Sequence, residues 1–533
     1  MTPVPLTTTE QTPAERRATI EAAAMPRSIP ALLDDAVADC PDTHLWEFFE
    51  DGITATYSDV RRDSMKMGAL LANEGIWRGD RVAVMLPNVP EMPLAWLGLG
   101  RIGAVMVPVN ARSSARELVY AVKDSGARLL LLHKDFSDIL EKGDLDIKVI
   151  IIGTPEWALK FDRSAVADCP TPCLDGDTLA NIQYTSGTTG LPKGCLLTHR
   201  YWLTMGMVNA WRDGLRLHRI LATTPFSYMD PQWLLLMAVY QRGTLVVGRK
   251  QSATRFSKWL ADHRIEFCLF PEAASKQPPA PHDDKNVVKR ANIYGVRASA
   301  HKEIEARYDF QAREAFGMTE IGSGMYMPIE ASDMNGSGSC GLASPFRKTR
   351  VVDDNGQDVP TGEIGELLIK GPGIFEGYHN NPEATARSLK DGWFHSGDLF
   401  RKDAQGFHYI VGRKKDMIRR SGENIACREV EGVLRDMDEI EEVALVAVPD
   451  DLRGEEVKAF VTLQAGHDGT EALIGRIIAY AEQRLASFKV PRYFEFIKEM
   501  PRTPSFKVAK TDLTKNREDQ RTNAFDRVDQ LWR

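Results

Sequence analysis

Apolar and polar positions along this chain follow two different rhythms. In the first part, short apolar runs are separated by helix-length amphipathic stretches. Arg81-Val82-Ala83-Val84-Met85-Leu86 is such a run, closed by Pro87-Asn88, and it predicts a buried strand. Ala104 to Val109 predicts a second, after a helix-length segment carrying Leu94, Leu97, Leu99 and Ile102. An amphipathic stretch from Glu117 to Asp124 and a third apolar run, Arg128 to Leu132, follow. Strands alternating with helices predict a mostly parallel sheet with flanking helices, an α/β domain. The same rhythm returns between Ile220 and Val247.

After Gly412 the pattern changes. Val443 to Val448 and Val457 to Leu463 are short β-rich runs. Between Glu471 and Ala486, the apolar residues Ile474, Ile477, Ile478, Ala481 and Leu485 fall on one helical face. This predicts a compact α+β unit of about 115 residues. The charged run Arg413-Lys414-Lys415-Asp416 breaks the apolar rhythm. The expected division is therefore a large N-terminal domain, 1–415, and a small C-terminal domain, 416–533. Pro278 to Lys285 reads as a surface loop.

Composition narrows the class. A chain of 533 residues is too long for one ordinary core. A net charge of -7 with no long basic run disfavours nucleic acid and anionic membranes as partners. No stretch reaches the roughly 20 apolar residues of a membrane span. The first 25 residues lack an apolar signal core, which predicts an untargeted start. Seven dispersed cysteines predict reduced thiols and a cytoplasmic setting. Cys169 and Cys173 have no second pair, which argues against zinc.

The chemistry centres on Tyr184-Thr185-Ser186-Gly187-Thr188-Thr189-Gly190-Leu191-Pro192-Lys193-Gly194. Glycines and hydroxyl residues around one lysine allow backbone N–H groups to converge on phosphate oxygens. The P-loop pattern does not fit, because the spacing differs and Lys193 precedes Gly194 rather than a hydroxyl. By composition alone, a flexible linker fits equally well. Four further segments stand downstream in order: Phe316-Gly317-Met318-Thr319-Glu320, Gly397-Asp398-Leu399, Gly412-Arg413-Lys414-Lys415-Asp416 and Pro501-Arg502-Thr503-Pro504-Ser505-Phe506-Lys507.

Together these five segments resemble the signature of the adenylate-forming enzymes: acyl-CoA synthetases, nonribosomal peptide adenylation domains and firefly luciferase. The resemblance runs from about Leu45 to Leu513. Two local features, Arg419 to Asn424 and Phe488-Lys489-Val490-Pro491, look most like the crotonobetaine/carnitine-CoA ligase branch. The resemblance implies a mobile C-terminal lid, with ATP, Mg²⁺ and coenzyme A as co-substrates and cofactors and a small carboxylic acid as substrate. It is also compatible with a homodimer.

It further implies roles. The loop of Thr185, Ser186, Gly187, Thr188, Thr189, Gly190 and Lys193 would hold the β- and γ-phosphates. Glu320 would help bind Mg²⁺, with Thr319 on the phosphate. Phe316, where the family usually has tyrosine, would stack on adenine beside Gly317, Met318 and Ile410. Asp398 would accept the ribose hydroxyls, and Arg413 would reach the ribose or α-phosphate. Asp416 would be the hinge, and Lys507 would bridge carboxylate and α-phosphate. The family pattern has glycine before this lysine; Phe506 stands there in this chain, and Lys510 is the rival lysine. Ser421, Gly422 and Glu423 would line the pantetheine tunnel. Tyr228, Trp233, Gly295 and Arg297 would line the acyl pocket, with Asp230 facing a substrate cation or Arg297 a second carboxylate. Readings still open are a stand-alone adenylation enzyme loading a carrier protein, a luciferase-like oxygenase, and a non-catalytic nucleotide-binding protein.

Overall fold

A computed structural model describes residues 6–185, 192–296, 298–421, 423–503, 507–515 and 517–533, without the side chains of 298, 299 and 424. The first apolar rhythm becomes a sheet of six strands among the described residues. Arg81–Met85 pairs in parallel with Val105–Pro108 on one side and Leu129–His133 on the other, with Lys148–Ile152 beyond. Leu129 to Leu132 are fully buried, so both faces of this sheet are covered. The crossover helices are Glu91–Ile102 and Ala115–Ser125. Ser114 starts the latter with a capping box to Glu117. Leu179–Thr185 and Lys193–Thr198 close the far edge as an antiparallel pair.

A second sheet begins in the same style. His44–Phe48, Thr244–Val247, Arg219–Ala222, Phe267–Leu269, Arg290–Ile293 and Ala312–Met318 run parallel. From Gly322–Tyr326 onward it continues antiparallel, through Ser339–Ala343, His408–Arg413, Trp393–Lys402, Ile364–Lys370 and Lys348–Val352. The parallel expectation thus holds where amphipathic helices separate the strands. Between 322 and 413 the connections are mostly too short for a crossover, and antiparallel pairing follows.

Helices His199–Trp211 and Met229–Gln241 are buried on nearly every side, the behaviour of helices that are apolar all round. Their residues Trp202, Leu234, Leu235 and Leu236 join the large hydrophobic cluster spanning residues 20 to 400.

The C-terminal residues build a third, mixed sheet around the long hairpin Ile440–Asp450 and Gly454–Leu463. The expected helix is Glu471–Glu482, with Ile474, Ile477 and Ala481 fully buried. This region has its own hydrophobic cluster, whose buried members run from Ile418 to Phe525. Among the described residues, no helix is long and apolar enough to cross a membrane, and all seven cysteines are free thiols.

Candidate active site

The phosphate loop is closed at its base by a paired edge. Thr185 ends one strand and Lys193 begins the next; the two are register partners, and Thr185 Oγ1 donates to the Lys193 carbonyl at 3.4 Å. Ser186, Gly187, Thr188, Thr189 and Gly190 lie outside the described residues, as do Arg297, Gly422 and Phe506. The segment 376–379 lies along the outer edge of Lys193–Thr198: Glu376 N–H donates to Leu196 O, and His379 N–H to Gly194 O. That pairing sets Tyr378 beneath the lysine, with Lys193 Nζ 4.4 Å from the ring centroid.

Glu320 arrives from a different element. Ala312–Met318 and Gly322–Tyr326 form a hairpin whose turn is Thr319-Glu320-Ile321. A Cβ at Gly317 would sit 2.7 Å from the Gly322 carbonyl oxygen, so only glycine allows this close approach. Glu320 is buried, and its Oε1 accepts the Tyr378 phenol at 2.8 Å. Tyr378 is a site residue that the sequence motifs did not single out. It lies far from the other motifs in sequence, and only the edge pairing at 376–379 brings it in.

Phe316, half-buried on the same hairpin, meets Phe400 edge-to-face at a centroid distance of 5.1 Å. It packs against the core together with Ile410. Met318 is likewise partly buried against the core, while Gly317 is exposed.

Asp398 and Arg413 face each other across paired strands, with Arg413 Nε 2.9 Å from Asp398 Oδ1. The carboxylate is almost wholly buried. The contact is an ion pair without hydrogen-bond alignment, so Oδ1 keeps an unfilled acceptor site. Burial is the main influence raising the Asp398 carboxyl pKa, while Arg413, Arg428 and Lys507 act to lower it. An orphaned buried oxygen of this kind suits hydroxyl donors from a ligand.

Lys507 closes the cleft from the C-terminal side. Its backbone is tied to Thr503: Thr503 N–H donates to Lys507 O at 2.8 Å, and Lys507 N–H to Thr503 Oγ1 at 3.2 Å. The residue is exposed, and its ammonium lies within the field of Arg413, Asp398 and Glu320. Burial lowers its pKa and the nearby Arg413 adds to that, while Asp398 and Glu320 oppose both. Lys510, the rival, pairs instead with Glu431 at 2.7 Å within the lid.

The hinge candidate Asp416 lies in the short turn Lys414–Asp416, and its carbonyl accepts the Cys427 thiol at 2.7 Å. Lys414 anchors the turn to the large domain through Asp354 and Glu366 at 2.9 and 3.2 Å. Ser421 and Glu423 are exposed, and their backbone pairings stay within the C-terminal unit, for example Ser421 N–H to Arg453 O.

The expected acyl-pocket residues divide. Tyr228 Oη accepts from Asn110 Nδ2 at 2.8 Å. Trp233 is buried in the core, and its Nε1 donates to Asp230 Oδ1 at 3.1 Å. Gly295 lies on the side of Phe316: the amides of Gly295 and Val296 donate to the Glu314 carboxylate at 3.1 and 3.2 Å. Burial pushes the Glu314 carboxyl up to about 7, against those amides and Arg428. Tyr294, not foreseen, is half-exposed, and its hydroxyl accepts from Asn292 Nδ2 at 3.3 Å.

Magnesium, the metal such sites use, suits these residues. It binds through one or two carboxylates together with substrate phosphate oxygens, and Glu320 beside the phosphate-loop lysine offers that set.

Comparison with known proteins agrees with this geometry. Residues 33–379 match the family model described as AMP-binding enzyme, and residues 429–507 match the AMP-binding enzyme C-terminal domain. Crotonobetaine/carnitine–CoA ligase of Escherichia coli O17:K52:H18 is 32% identical over 482 residues, covering 86% of this chain and 92% of that enzyme. The same ligase from Escherichia coli O157:H7 matches equally. Among solved structures, ATP-bound MatB from Rhodopseudomonas palustris superposes with a TM-score of 0.82 at 25% identity, covering 91% of this chain and 98% of that one. The Mycobacterium tuberculosis fatty acyl CoA synthetase does so with 0.72 at 26%, covering 91% and 97%. With both family models matched in order and the cleft residues assembled between them, the chain belongs to the AMP-binding enzyme family, among its AMP-forming acyl-CoA ligases.

Proposed function

We propose that this ligase activates a compact carboxylic acid bearing a cationic group, and that the cleft residues divide the work over two steps. In the first, a carboxylate oxygen attacks the α-phosphorus of ATP and the bond to pyrophosphate breaks. Thr185, Lys193 and the loop between them hold the β- and γ-phosphates, and Thr319 bonds a phosphate oxygen. Glu320 holds magnesium, which when bound neutralises charge building on the phosphate oxygens. Phe316 and Ile410 flank the base, Asp398 accepts ribose hydroxyls through its open acceptor site, and Arg413 steadies Asp398. Lys507 sits where attacking and attacked groups meet.

In the second step the thiol of coenzyme A attacks the acyl carbonyl and AMP leaves. For this the unit 416–533 turns about Asp416, withdrawing Lys507 and bringing Ser421, Gly422 and Glu423 to the pantetheine path. The seven free thiols accord with a cytoplasmic setting.

The cationic substrate rests on Asp230. Asp230 is half-buried, its carboxyl pKa raised by desolvation, with Trp233 Nε1 as its hydrogen-bond partner. Among the described residues Trp233 is the partner that acts on it, and no lysine, arginine or histidine does. The phenol of Tyr294 stands within its field. A desolvated carboxylate with no cation beside it among the described residues is matched by an onium group of the substrate. The curated relatives are named for crotonobetaine and carnitine, which supports the same class.

A panel of betaines and neutral acids of equal size, assayed for AMP release with coenzyme A present, tests it. Betaines should be favoured by about 10²-fold in kcat/KM, and Asp230→Asn should abolish the preference. Equal turnover of neutral isosteres would overturn the substrate assignment.

A further inference from the structure

Helix Cys427–Arg435 opens the C-terminal unit, and its second residue reaches back toward the large domain. The base of Arg428 rests against the strand that ends in Arg413: a Cβ added at Gly412 would meet Arg428 Cβ at 3.8 Å. From there the guanidinium extends to Gly295, where Nη2 lies 3.2 Å from the Cβ position that glycine leaves empty. Gly295 and Val296 are tied by their amides to Glu314, two residues before Phe316 on one strand and so on the same face. Arg428 also acts electrostatically on both Glu314 and Asp398. Yet it is exposed, and among the described residues no carboxylate stands within 4.0 Å of it as an ion-pair partner.

An exposed lid arginine is ordinarily a solvated charge. This one reaches Gly295, whose loop is tied to Glu314 on the strand of Phe316, and it acts on Asp398. Asp398 is the common reference point, since Lys507 and Arg428 both act on it. The lid therefore presents two cations near Asp398, Lys507 also within the field of Glu320 and Arg428 within that of Glu314.

We propose that Arg428 is a nucleotide-binding residue carried by the lid, its guanidinium covering the base–ribose end of ATP in this arrangement. The inference rests on the placement of base and ribose at Phe316 and Asp398 given above. A planar, weakly hydrated guanidinium both stacks on a purine face and donates to ribose oxygens, which a lysine ammonium does less well. Gly295 contributes by having no side chain, leaving room for the guanidinium and the ring together.

The test compares wild type, Arg428→Ala and Arg428→Lys by calorimetric titration with ATP and Mg²⁺, by carboxylate-dependent pyrophosphate exchange, and by coenzyme A transfer from supplied acyl-adenylate. Arg428→Ala should bind ATP about tenfold more weakly. The KM for ATP in exchange should rise in step while kcat changes little, and the lysine variant should recover part of the loss. Coenzyme A transfer, after the lid has turned, should fall less than exchange does. Unaltered ATP binding in Arg428→Ala would overturn the inference, as would a parallel loss in both half-reactions. Should wild type bind ATP but exchange no pyrophosphate with any acid, the ligase reading would fail, and the calorimetric comparison would still decide Arg428.

Discussion

Tyr378 donates its phenolic hydrogen to Glu320 Oε1 at 2.8 Å, and the same ring lies 4.4 Å from Lys193 Nζ. One side chain thus fixes the distance between the carboxylate assigned to the metal and the cation assigned to the phosphates. Partners of this kind orient metal ligands, and losing them typically costs about 10–100-fold in metal affinity or activity. Tyr378→Phe should therefore raise the Mg²⁺ concentration for half-maximal exchange by roughly tenfold. Tyr378→Leu, which also removes the ring beneath Lys193, should raise the KM for ATP in addition. A magnesium titration of the exchange reaction checks both; an unchanged magnesium dependence in Tyr378→Phe would rule out the positioning role.

Removing the ammonium at the mouth of the cleft should separate the half-reactions. Lys507→Ala is expected to slow pyrophosphate exchange by about 10²–10³-fold while sparing coenzyme A transfer from supplied acyl-adenylate. Equal exchange in both proteins would remove Lys507 from the mechanism.

In the proposed adenylation step the same lysine would set the alkaline limb. Its pKa is lowered by burial and by Arg413. On the proposed role adenylation uses the charged form, so kcat/KM for the acid should fall as pH rises through a value below the usual 10.5. The expected pH–rate profile turns down earlier than an ordinary lysine would, and Lys507→Arg should move that limb upward in pH.

Glu314 links stability to pH. Its carboxyl is raised from 4.5 to about 7 by burial, against Gly295, Val296 and Arg428. Between those two values the folded chain holds this proton more firmly than the unfolded chain does. Its contribution to stability is present in full below about pH 4.5 and is lost as pH rises through about 7. Glu314→Gln should flatten that part of a plot of Tm against pH, whereas an unchanged slope would assign the dependence to other groups.

The hinge is tested by restricting it. Asp416→Pro fixes φ at the turn anchored by Lys414. One half-reaction should drop roughly tenfold or more with the other largely kept, since the proposed turn of 416–533 serves only part of the cycle. Equal losses in both would place the pivot elsewhere.

Much of this molecule was legible from local pattern. The apolar runs at 81–86 and 128–132 become strands because a continuous β-branched and leucine-rich run can be buried on both faces of a parallel sheet. The face shared by Ile474, Ile477 and Ala481 forms a helix because a spacing of three to four residues keeps those side chains on one buried stripe. The phosphate-loop residues and Glu320, Asp398, Arg413 and Lys507 stand in recognisable runs, each motif being contiguous. Tyr378, Glu314 and Arg428 belong to none of those runs. Tyr378 reaches Glu320 through pairing of 376–379 with an edge strand, and Arg428 reaches Gly295 only because the lid docks against the strand that ends in Arg413. Periodicity and motif spacing are properties of neighbours along the chain. Which distant carboxylate meets which phenol or guanidinium depends on how the sheets and the lid pack, and that packing is settled by summed burial over the whole chain.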